Sequence, residues 1–455
     1  MRDALAHPVY RRLLAAQVLS VFGSGLTTVA LGLLAFELAG ADAGAVLGIA
    51  LMLKMVAYVG LAPIVTALAA HLPRRPFLIS LDLCRAALVL VLPFVTEVWQ
   101  IYALVFAFQA FSAAFSPTFQ ATIPDILTDE RHYTQALSLS RLSYDLESLL
   151  SPLLAGLLLS VLSFHWLFAG TALGFLASAA LVRSVVLPQP RGGAVAAPFV
   201  KRVTRGGWIY LSTPRLRGML ALYLAVAAAS AMVIVNTVVR VKSTLALGDA
   251  AVALHFAAYG LGSMVVALTL PRLLDRVAAR PVMLAGGVAL VPLLALAALG
   301  PALAAGLLLW AALGAAAALV QTPSGLILRR SCAEADRPAV FAAQFALTHA
   351  CWLLAYPAAG LLGAALGLNM TFALMAVAAA AATLAAWRLW PAHDPEEIVH
   401  DHGALTHAHA YGDADHHLPG VATHHHHPAL RHAHRYVIDD HHPRWPVRVG
   451  GGAEL

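Results

Sequence analysis

Residues 141–156 read Arg-Leu-Ser-Tyr-Asp-Leu-Glu-Ser-Leu-Leu-Ser-Pro-Leu-Leu-Ala-Gly, and they place Arg141, Asp145 and Glu147 inside an apolar run. A charge at the centre of a bilayer helix costs about 2.5–3.5 kcal/mol on insertion scales. Such side chains usually face a bundle interior or a wet cavity rather than lipid. The stretch therefore predicts a membrane helix that lines an internal route, with the rest of the chain as its support.

The composition indicates a polytopic membrane protein. The chain has 455 residues, of which 60% are hydrophobic and 11% are charged, and its mean hydropathy is +0.78. Soluble globular domains carry about 25% charged residues, so this chain has too little polar surface for a water-soluble body. Its basic residues lie in short loops, where they set topology rather than bind nucleic acid. The three cysteines form no CxxC pair, which argues against a disulfide framework or a thiolate zinc cluster.

Apolar runs predict the number of spans. A spanning helix needs about 20 mostly apolar residues. Twelve runs meet this requirement, with approximate limits 12–36, 43–70, 76–96, 99–119, 133–160, 163–187, 216–239, 250–272, 281–299, 301–328, 338–366 and 368–390.

The loops between these runs fall into two classes by charge. Alternate loops are rich in arginine, whereas the others contain only Arg240 and Lys242 as basic residues. Positively charged loops stay in the cytoplasm. We therefore expect both termini to be cytoplasmic.

The two halves of the chain resemble each other at a shift of 205–206 residues. Pro8 falls on Pro214, Pro117 on Pro323 and Pro152 on Pro357. The predicted fold is all-α integral membrane, with twelve transmembrane helices in two pseudo-symmetric six-helix bundles and a disordered C-terminal tail. The predicted domains are an N-terminal bundle (1–187), a cytoplasmic central loop (188–214), a C-terminal bundle (215–390) and the tail (391–455).

Four charged residues are candidates for proton or cation coupling. Arg141 and Asp145 are four residues apart and share a helix face, so a structural ion pair is an equally good interpretation. Glu147 lies on another face, where a carboxyl group should have a raised pKa and could exchange protons. Lys54 lies about ten residues into the second span, either as a counter-charge to an acidic residue on another helix or in coupling.

Three softer ligands lie within predicted spans: His255 in span eight, and His349 and Cys351 in span eleven. Imidazole with carboxylate suits a borderline cation such as nickel, cobalt or zinc. A lone buried histidine is more often a packing residue, and this alternative stays open for both histidines.

The tail carries the clearest indication of a substrate. Of the 21 histidines, 15 lie between His393 and His442, interspersed with acidic residues. The histidine ring loses its proton at about pH 6.5. At cytoplasmic pH most of these rings are therefore neutral and can bind metal. The candidate ligands are His400, His402, His407, His409, His416, His417, His424, His425, His426, His427, His432, His434, His441 and His442. The alternatives are a purification tag, which the irregular clusters disfavour, and a solvated tail without a role.

Two motifs and the parallel six-span repeats resemble the major facilitator superfamily over about residues 8–390. The family's loop between spans two and three reads Gly-x-x-x-Asp-Arg-x-x-Arg-Arg, of which residues 66–75 keep only Arg74 and Arg75. The equivalent loop in the second half keeps Asp275-Arg276, which the resemblance implies as the gating latch. The Gly-Pro-x-x-Gly-Gly motif of proton antiporters resembles residues 151–156, Ser-Pro-Leu-Leu-Ala-Gly.

The resemblance also implies neighbours. In this superfamily span five adjoins span eight, and span two adjoins span eleven, so His255 should lie near Asp145 or Glu147, and Lys54 near His349 and Cys351. With its histidine-rich tail, the chain more narrowly resembles bacterial nickel-resistance permeases.

The sequence therefore predicts a proton-coupled exporter of nickel, with cobalt and then zinc as further candidates for the transported or tail-bound ion. Its partners would be the lipid bilayer, metal ions and protons, without nucleic acid or ATP, and it would act as a monomer with no resident cofactor. No nucleophile elbow, phosphate loop or zinc-protease helix is present in the sequence, so no enzyme is predicted. The alternatives are an exporter of an organic molecule, such as a drug or siderophore, and a metal-storing or metal-sensing membrane protein.

Overall fold

The computed structural model describes most of the helical part of the chain and portions of the tail. The described residues are 5–61, 72–127, 132, 135–136, 139–140, 143, 151, 154–159, 161–187, 199–333, 336–392, 394, 397–402, 405–408, 424–427, 430–438, 442 and 445.

Thirteen helices can be bounded within the described residues. They are α1 Pro8–Ala39, α2 Ala43–Val56, α3 Arg74–Val91, α4 Val98–Ile126, α5 His165–Arg183, α6 Phe199–Ser212, α7 Pro214–Val239, α8 Asp249–Leu274, α9 Ala279–Ala298, α10 Leu303–Gln321, α11 Ser324–Arg330, α12 Arg337–Leu366 and α13 Leu368–Leu389. π-Helical segments extend α2 over Ala57–Leu61 and α7 over Arg240–Thr244. The fifth predicted span is described only in part, and its residues 154–159 are helical.

Helix starts and turns follow local chemistry. Proline begins both α1 (Pro8) and α7 (Pro214), where its missing N–H costs nothing in the first helical turn. These two positions are equivalent at the predicted repeat shift. A capping box between Glu97 and Gln100 begins α4. Gly367, with φ of +79°, forms the turn between α12 and α13, and this left-handed conformation costs glycine little.

Ten helical stretches in the described residues are long and apolar enough to cross a membrane. The first, Pro8–Leu61, covers the first and second predicted spans, and the fifth predicted span lies largely outside the described residues. The helix count is thus roughly consistent with twelve spans. The predicted central loop, however, contains the helix α6, which the sequence analysis did not predict.

Backbone contact joins α2 of the first half to α12 of the second half. A Cβ atom on Gly48 would lie 2.6 Å from the carbonyl oxygen of Tyr356, and one on Gly360 would overlap the carbonyl oxygen of Gly44. Beside them, Asn236 of α7 donates from Nδ2 to the carbonyl oxygen of Ala359 at 2.9 Å. Small residues allow such close helix approach in membranes. This contact lies at the ends of α2 and α12 that are opposite the arginine-rich loops.

A buried ion pair ties α3 to α4 and α5. Asp82 and Arg85 are both almost fully buried, and their side chains form a salt bridge. Asp82 also accepts a 2.7 Å hydrogen bond from Ser178. The Arg85 guanidinium carbon lies 4.2 and 4.5 Å from the ring centroids of Phe115 and Phe175. Both charges are therefore compensated within the first half, as a group buried away from water requires.

A second compact unit comprises residues Ala196–Met219, Ser324–Gln344 and Ala385–Leu455. Its tail contains four short strands, β1 Glu397–His402, β2 Leu405–Ala408, β3 His424–His427 and β4 Leu430–Arg435. β1 pairs with β4 and β2 with β3, both antiparallel. These segments differ from the disordered tail that the sequence predicts. Pairing of backbone groups along a hairpin satisfies them without a large apolar core, a possibility that composition alone does not reveal.

We predict that Arg85→Met lowers stability by about 3–5 kcal/mol, because it leaves Asp82 buried without its counter-charge. The double variant Asp82→Asn/Arg85→Met should recover part of this loss. Thermal unfolding of the purified protein in detergent measures the effect. Arg11→Gln, an exposed arginine on α1, is the control, and equal stability of Arg85→Met and Arg11→Gln would contradict a structural ion pair.

Candidate functional site

The proposed coupling residues Arg141, Asp145 and Glu147 lie outside the described residues, so their roles stay predictions. Contacts on either side of them show which helices border this span. Ser140 donates to Oε1 of Gln17 on α1 at 2.8 Å. A Cβ atom on Gly156 would lie 2.9 Å from the carbonyl oxygen of Ala253 on α8. The expected adjacency of spans five and eight is therefore confirmed.

An aromatic cluster lies where α12 meets the π-helical segment at the end of α2. The Tyr58 ring stacks on the His349 ring with centroids 5.8 Å apart and planes at 25°. The ring centroid of Phe345, one turn before His349, lies 3.8 Å from that of His349. All three rings are partly exposed. Lys54 precedes Tyr58 by one helical turn. Spans two and eleven are thus neighbours, as the resemblance implied.

Sequence reasoning found His349 but missed its two aromatic neighbours. The four-residue spacing of Phe345 and His349 was available as a signal, because residues at this spacing share a helix face. Nothing in the sequence pairs Tyr58 with them. His349 Nδ1 lies 2.7 Å from the carbonyl oxygen of Phe345, which leaves Nε2 as the ring nitrogen directed away from that bond.

Cys351 and His255 do not join this cluster through any described contact. The Cys351 thiol is buried and donates to the carbonyl oxygen of Leu347 at 3.5 Å. His255 is fully buried, with Nδ1 2.8 Å from the carbonyl oxygen of Ala251 and its ring edge-on to Trp310 at 5.2 Å. Among the described side chains, no group of three histidine, cysteine or acidic residues could hold a metal ion. His255 Nε2 is buried with no hydrogen-bond partner among the described residues, so both interpretations of His255 stay open.

Arg74 and Arg75, the two arginines kept from the family's loop motif, have partners that the sequence analysis did not identify. Arg74 forms an ion pair with Asp125 near the end of α4, and Arg75 donates to the carbonyl oxygen of Arg183 at the end of α5. These bonds tie the start of α3 to two neighbouring helices. Asp275 and Arg276 are both exposed in the turn after α8, so the latch that the resemblance placed there stays a prediction.

The strands of the tail bring histidines into register. His400 pairs with His432 across β1 and β4, and His407 pairs with His425 across β2 and β3. The two ladders continue in one register, because a step of three residues along each strand leads from the pair His402–Leu430 to the pair Leu405–His427. We call the strands β1 to β4 together the tail hairpin. Four further tail candidates occupy strand positions: His424, His426, His427 and His434. Four lie outside the described residues: His409, His416, His417 and His441.

The two ends of this hairpin converge on Arg215 at the start of α7. Before the hairpin, Asp394 lies 3.3 Å from Arg215 Nη2 and accepts a 3.0 Å hydrogen bond from Trp390 Nε1. After the hairpin, the Trp445 ring centroid lies 5.0 Å from the Arg215 guanidinium carbon. The last candidate ligand, His442, is buried with its ring 4.7 Å from that of Tyr436. Sequence reasoning treated Arg215 only as a topology charge.

Comparison with known proteins identifies the family. The family model described as the Major Facilitator Superfamily matches residues 13–239 and 219–412. The uncharacterized MFS-type transporter YfiS of Bacillus subtilis (strain 168) is 29% identical over 171 residues, which are 37% of this chain and 40% of YfiS. The chain thus matches about two fifths of that relative's length.

Solved structures share the fold at low sequence identity. The nucleoside transporter NupG has a TM-score of 0.63 at 12% identity, covering 84% of this chain and 99% of NupG. A bacterial homologue of the iron transporter ferroportin, in an inward-facing state, gives 0.62 at 16% identity, covering 84% and 98%. A bacterial metal transporter gives 0.56 at 16% identity, again covering 84% and 98%.

The family model extends over both helical halves of the chain, and the similar solved structures share its fold. The chain therefore belongs to the Major Facilitator Superfamily and is an all-α, multi-pass membrane protein.

Proposed function

We propose that this transporter exports a divalent metal cation from the cytoplasm in exchange for protons. Nickel is the first candidate and cobalt the second. The exporter would lie in the cytoplasmic membrane with both termini cytoplasmic. The observation that carries the proposal is the pairing of histidines along the tail hairpin, at His400–His432 and His407–His425.

The register supports a role for the tail in holding metal. Opposite positions in an antiparallel pair have Cβ atoms about 4.5–5.5 Å apart, a separation that suits two ligands of one cation. Imidazole favours nickel, cobalt, zinc and copper(II), and the tail has no cysteine for softer ions. The contacts of Asp394 and Trp445 with Arg215 would tether the hairpin to the start of α7.

The coupling step would use a carboxylate of the fifth span. A proton entering from outside would load Asp145 or Glu147, displace the cation, and leave to the cytoplasm after the two halves rock. The fold does not choose the cargo, since metal, nucleoside and sugar transporters share it. The cargo assignment therefore rests on the tail.

A second candidate substrate is an organic molecule, and the aromatic cluster favours it. Tyr58, Phe345 and His349 offer flat, partly exposed rings at the α2–α12 contact. Organic ligands bind mainly to apolar and aromatic surfaces with few polar groups.

Counterflow of labelled nickel in proteoliposomes separates the two candidates, because an organic exporter would not carry the ion. We predict that wild-type protein exchanges nickel and that an imposed pH gradient drives its uptake. Asp145→Asn or Glu147→Gln should abolish the gradient-driven component, because an amide cannot carry the proton.

Asp42→Asn provides the matched control, since this carboxyl group is exposed between α1 and α2. Gradient-driven nickel transport that survives both fifth-span substitutions unchanged would refute the coupling role. Absence of nickel exchange by the wild-type protein, together with efflux of an organic dye that Tyr58→Ala abolishes, would favour the second candidate.

For the tail, we predict that His400→Ala/His432→Ala weakens nickel binding to the purified full chain by about tenfold or more, as expected for altered metal ligation. Equilibrium dialysis measures this binding. Val399→Ser/Ala433→Ser, at the neighbouring cross-strand pair, should bind nickel as the wild type does. Equal nickel binding by both double variants would exclude the paired histidines as ligands.

Deleting residues 393–455 tests the tail's part in transport. An exporter should retain efflux at high metal concentration because the pathway lies in the helices, whereas a sensor or store would lose all function. Complete loss of nickel exchange in proteoliposomes would therefore contradict a tail that only collects metal.

A further inference from the structure

The helix α6, within the predicted central loop, has one face fixed to the start of α12. Arg205 forms a two-point ion pair with Asp336, with Nε 2.6 Å from Oδ1 and Nη2 3.1 Å from Oδ2. Gly206 lies so close to Ala339 that an added Cβ would overlap its carbonyl oxygen. One turn later, the buried Tyr210 donates to Gln344. Paired bonds of this kind hold a helix at a defined rotation about its axis.

The opposite face of α6 carries exposed apolar side chains. Trp208 is 40% exposed and Leu211 is 49% exposed. Thr204 is exposed on the same face, and a Cβ atom on Gly207 would meet nothing within 4 Å. Residues 204, 208 and 211 follow the helical repeat and share this face, which carries an aromatic and an aliphatic side chain. Lys201 and Arg202 precede Thr204 in the sequence.

Chain connectivity and charge indicate what covers this face. Only Thr213 separates the end of α6 from Pro214, where the candidate membrane span Pro214–Thr244 begins. The surrounding sequence is basic, with Lys201, Arg202 and Arg217 close by. Tryptophan is enriched at the headgroup level of bilayers, and lysine places its charge there while its stem lies along apolar surface.

We propose that the Thr204–Trp208–Leu211 face of α6 docks on the anionic headgroups of the bilayer that the chain spans. Amphipathic helices with a basic edge lie in this interface, and their binding depends on anionic lipid. The rigid ion pair to Asp336 transmits this docking to the start of α12. The inference does not depend on which substrate the transporter carries.

The test uses the full chain in nanodiscs of phosphatidylcholine, alone or mixed with phosphatidylglycerol. Hydrogen exchange of the α6 amides is followed by mass spectrometry. We expect slower exchange in the anionic discs, by about fivefold for one basic residue at the surface. Lys201→Gln/Trp208→Ala should remove the difference between the two disc types. Arg329→Gln, which removes an exposed charge from α11, should retain it.

A second readout, tryptophan fluorescence, keeps the test independent of helix stability. The emission of Trp208 is obtained as the difference between the spectra of the wild type and Trp208→Phe. This emission should shift to shorter wavelength in anionic discs. Equal exchange and emission in both disc types would overturn the proposal. So would protection of α6 by soluble glycerophosphoglycerol in neutral discs, which indicates a site for a free phosphodiester. Protection that appears only with two copies per disc, or only with cytosolic protein, would assign the face to a protein partner instead.

Discussion

Backbone contact between α2 and α12 is the constraint on which the rest of the structure depends. Lipid tails give no hydrophobic drive for helices to associate, so close packing and polar bonds between helices must supply it. Glycines at 44, 48 and 360 allow this packing, and Asn236 adds a hydrogen bond from α7. A helix of the first half is thereby joined to two helices of the second half at the ends opposite the arginine-rich loops. The same pair of helices carries the Tyr58–His349 stack further along their length.

Charges in the described part of the membrane region can be sorted by their surroundings. Asp82 and Arg85 compensate each other between two phenylalanine rings, so their burial is structural. Arg74 and Asp125 likewise join neighbouring helices of the first half. The fifth-span carboxylates are proposed as the working charges because Ser140 and Gly156, on either side of them in the sequence, contact α1 and α8. The tail hairpin adds a separate group of proposed metal ligands, and residues on either side of it contact Arg215.

Much of the fold could be predicted from the sequence because the bilayer imposes one strong rule, a length of apolar chain for each span. Repeated prolines such as Pro8 and Pro214 located equivalent helix starts, and the family resemblance supplied the pairing of spans two and eleven. Contacts that depend on shape could not be predicted. The Tyr58–His349 stack and the Arg74–Asp125 pair join residues distant in sequence without any periodic signal. The tail strands were missed because their composition lacks an apolar pattern, although their backbone groups pair along a continuous register.

If the chain transports by rocking its two halves, as proposed, the α2–α12 contact must open and close during transport. Pulsed electron paramagnetic resonance tests it directly, with spin labels at Ala41→Cys and Leu366→Cys, both exposed at that end, in a chain whose native cysteines are replaced by serine. We expect two distance populations whose proportions change with nickel and with pH. A single narrow distance distribution, unchanged by either condition in a protein that still transports, would contradict it.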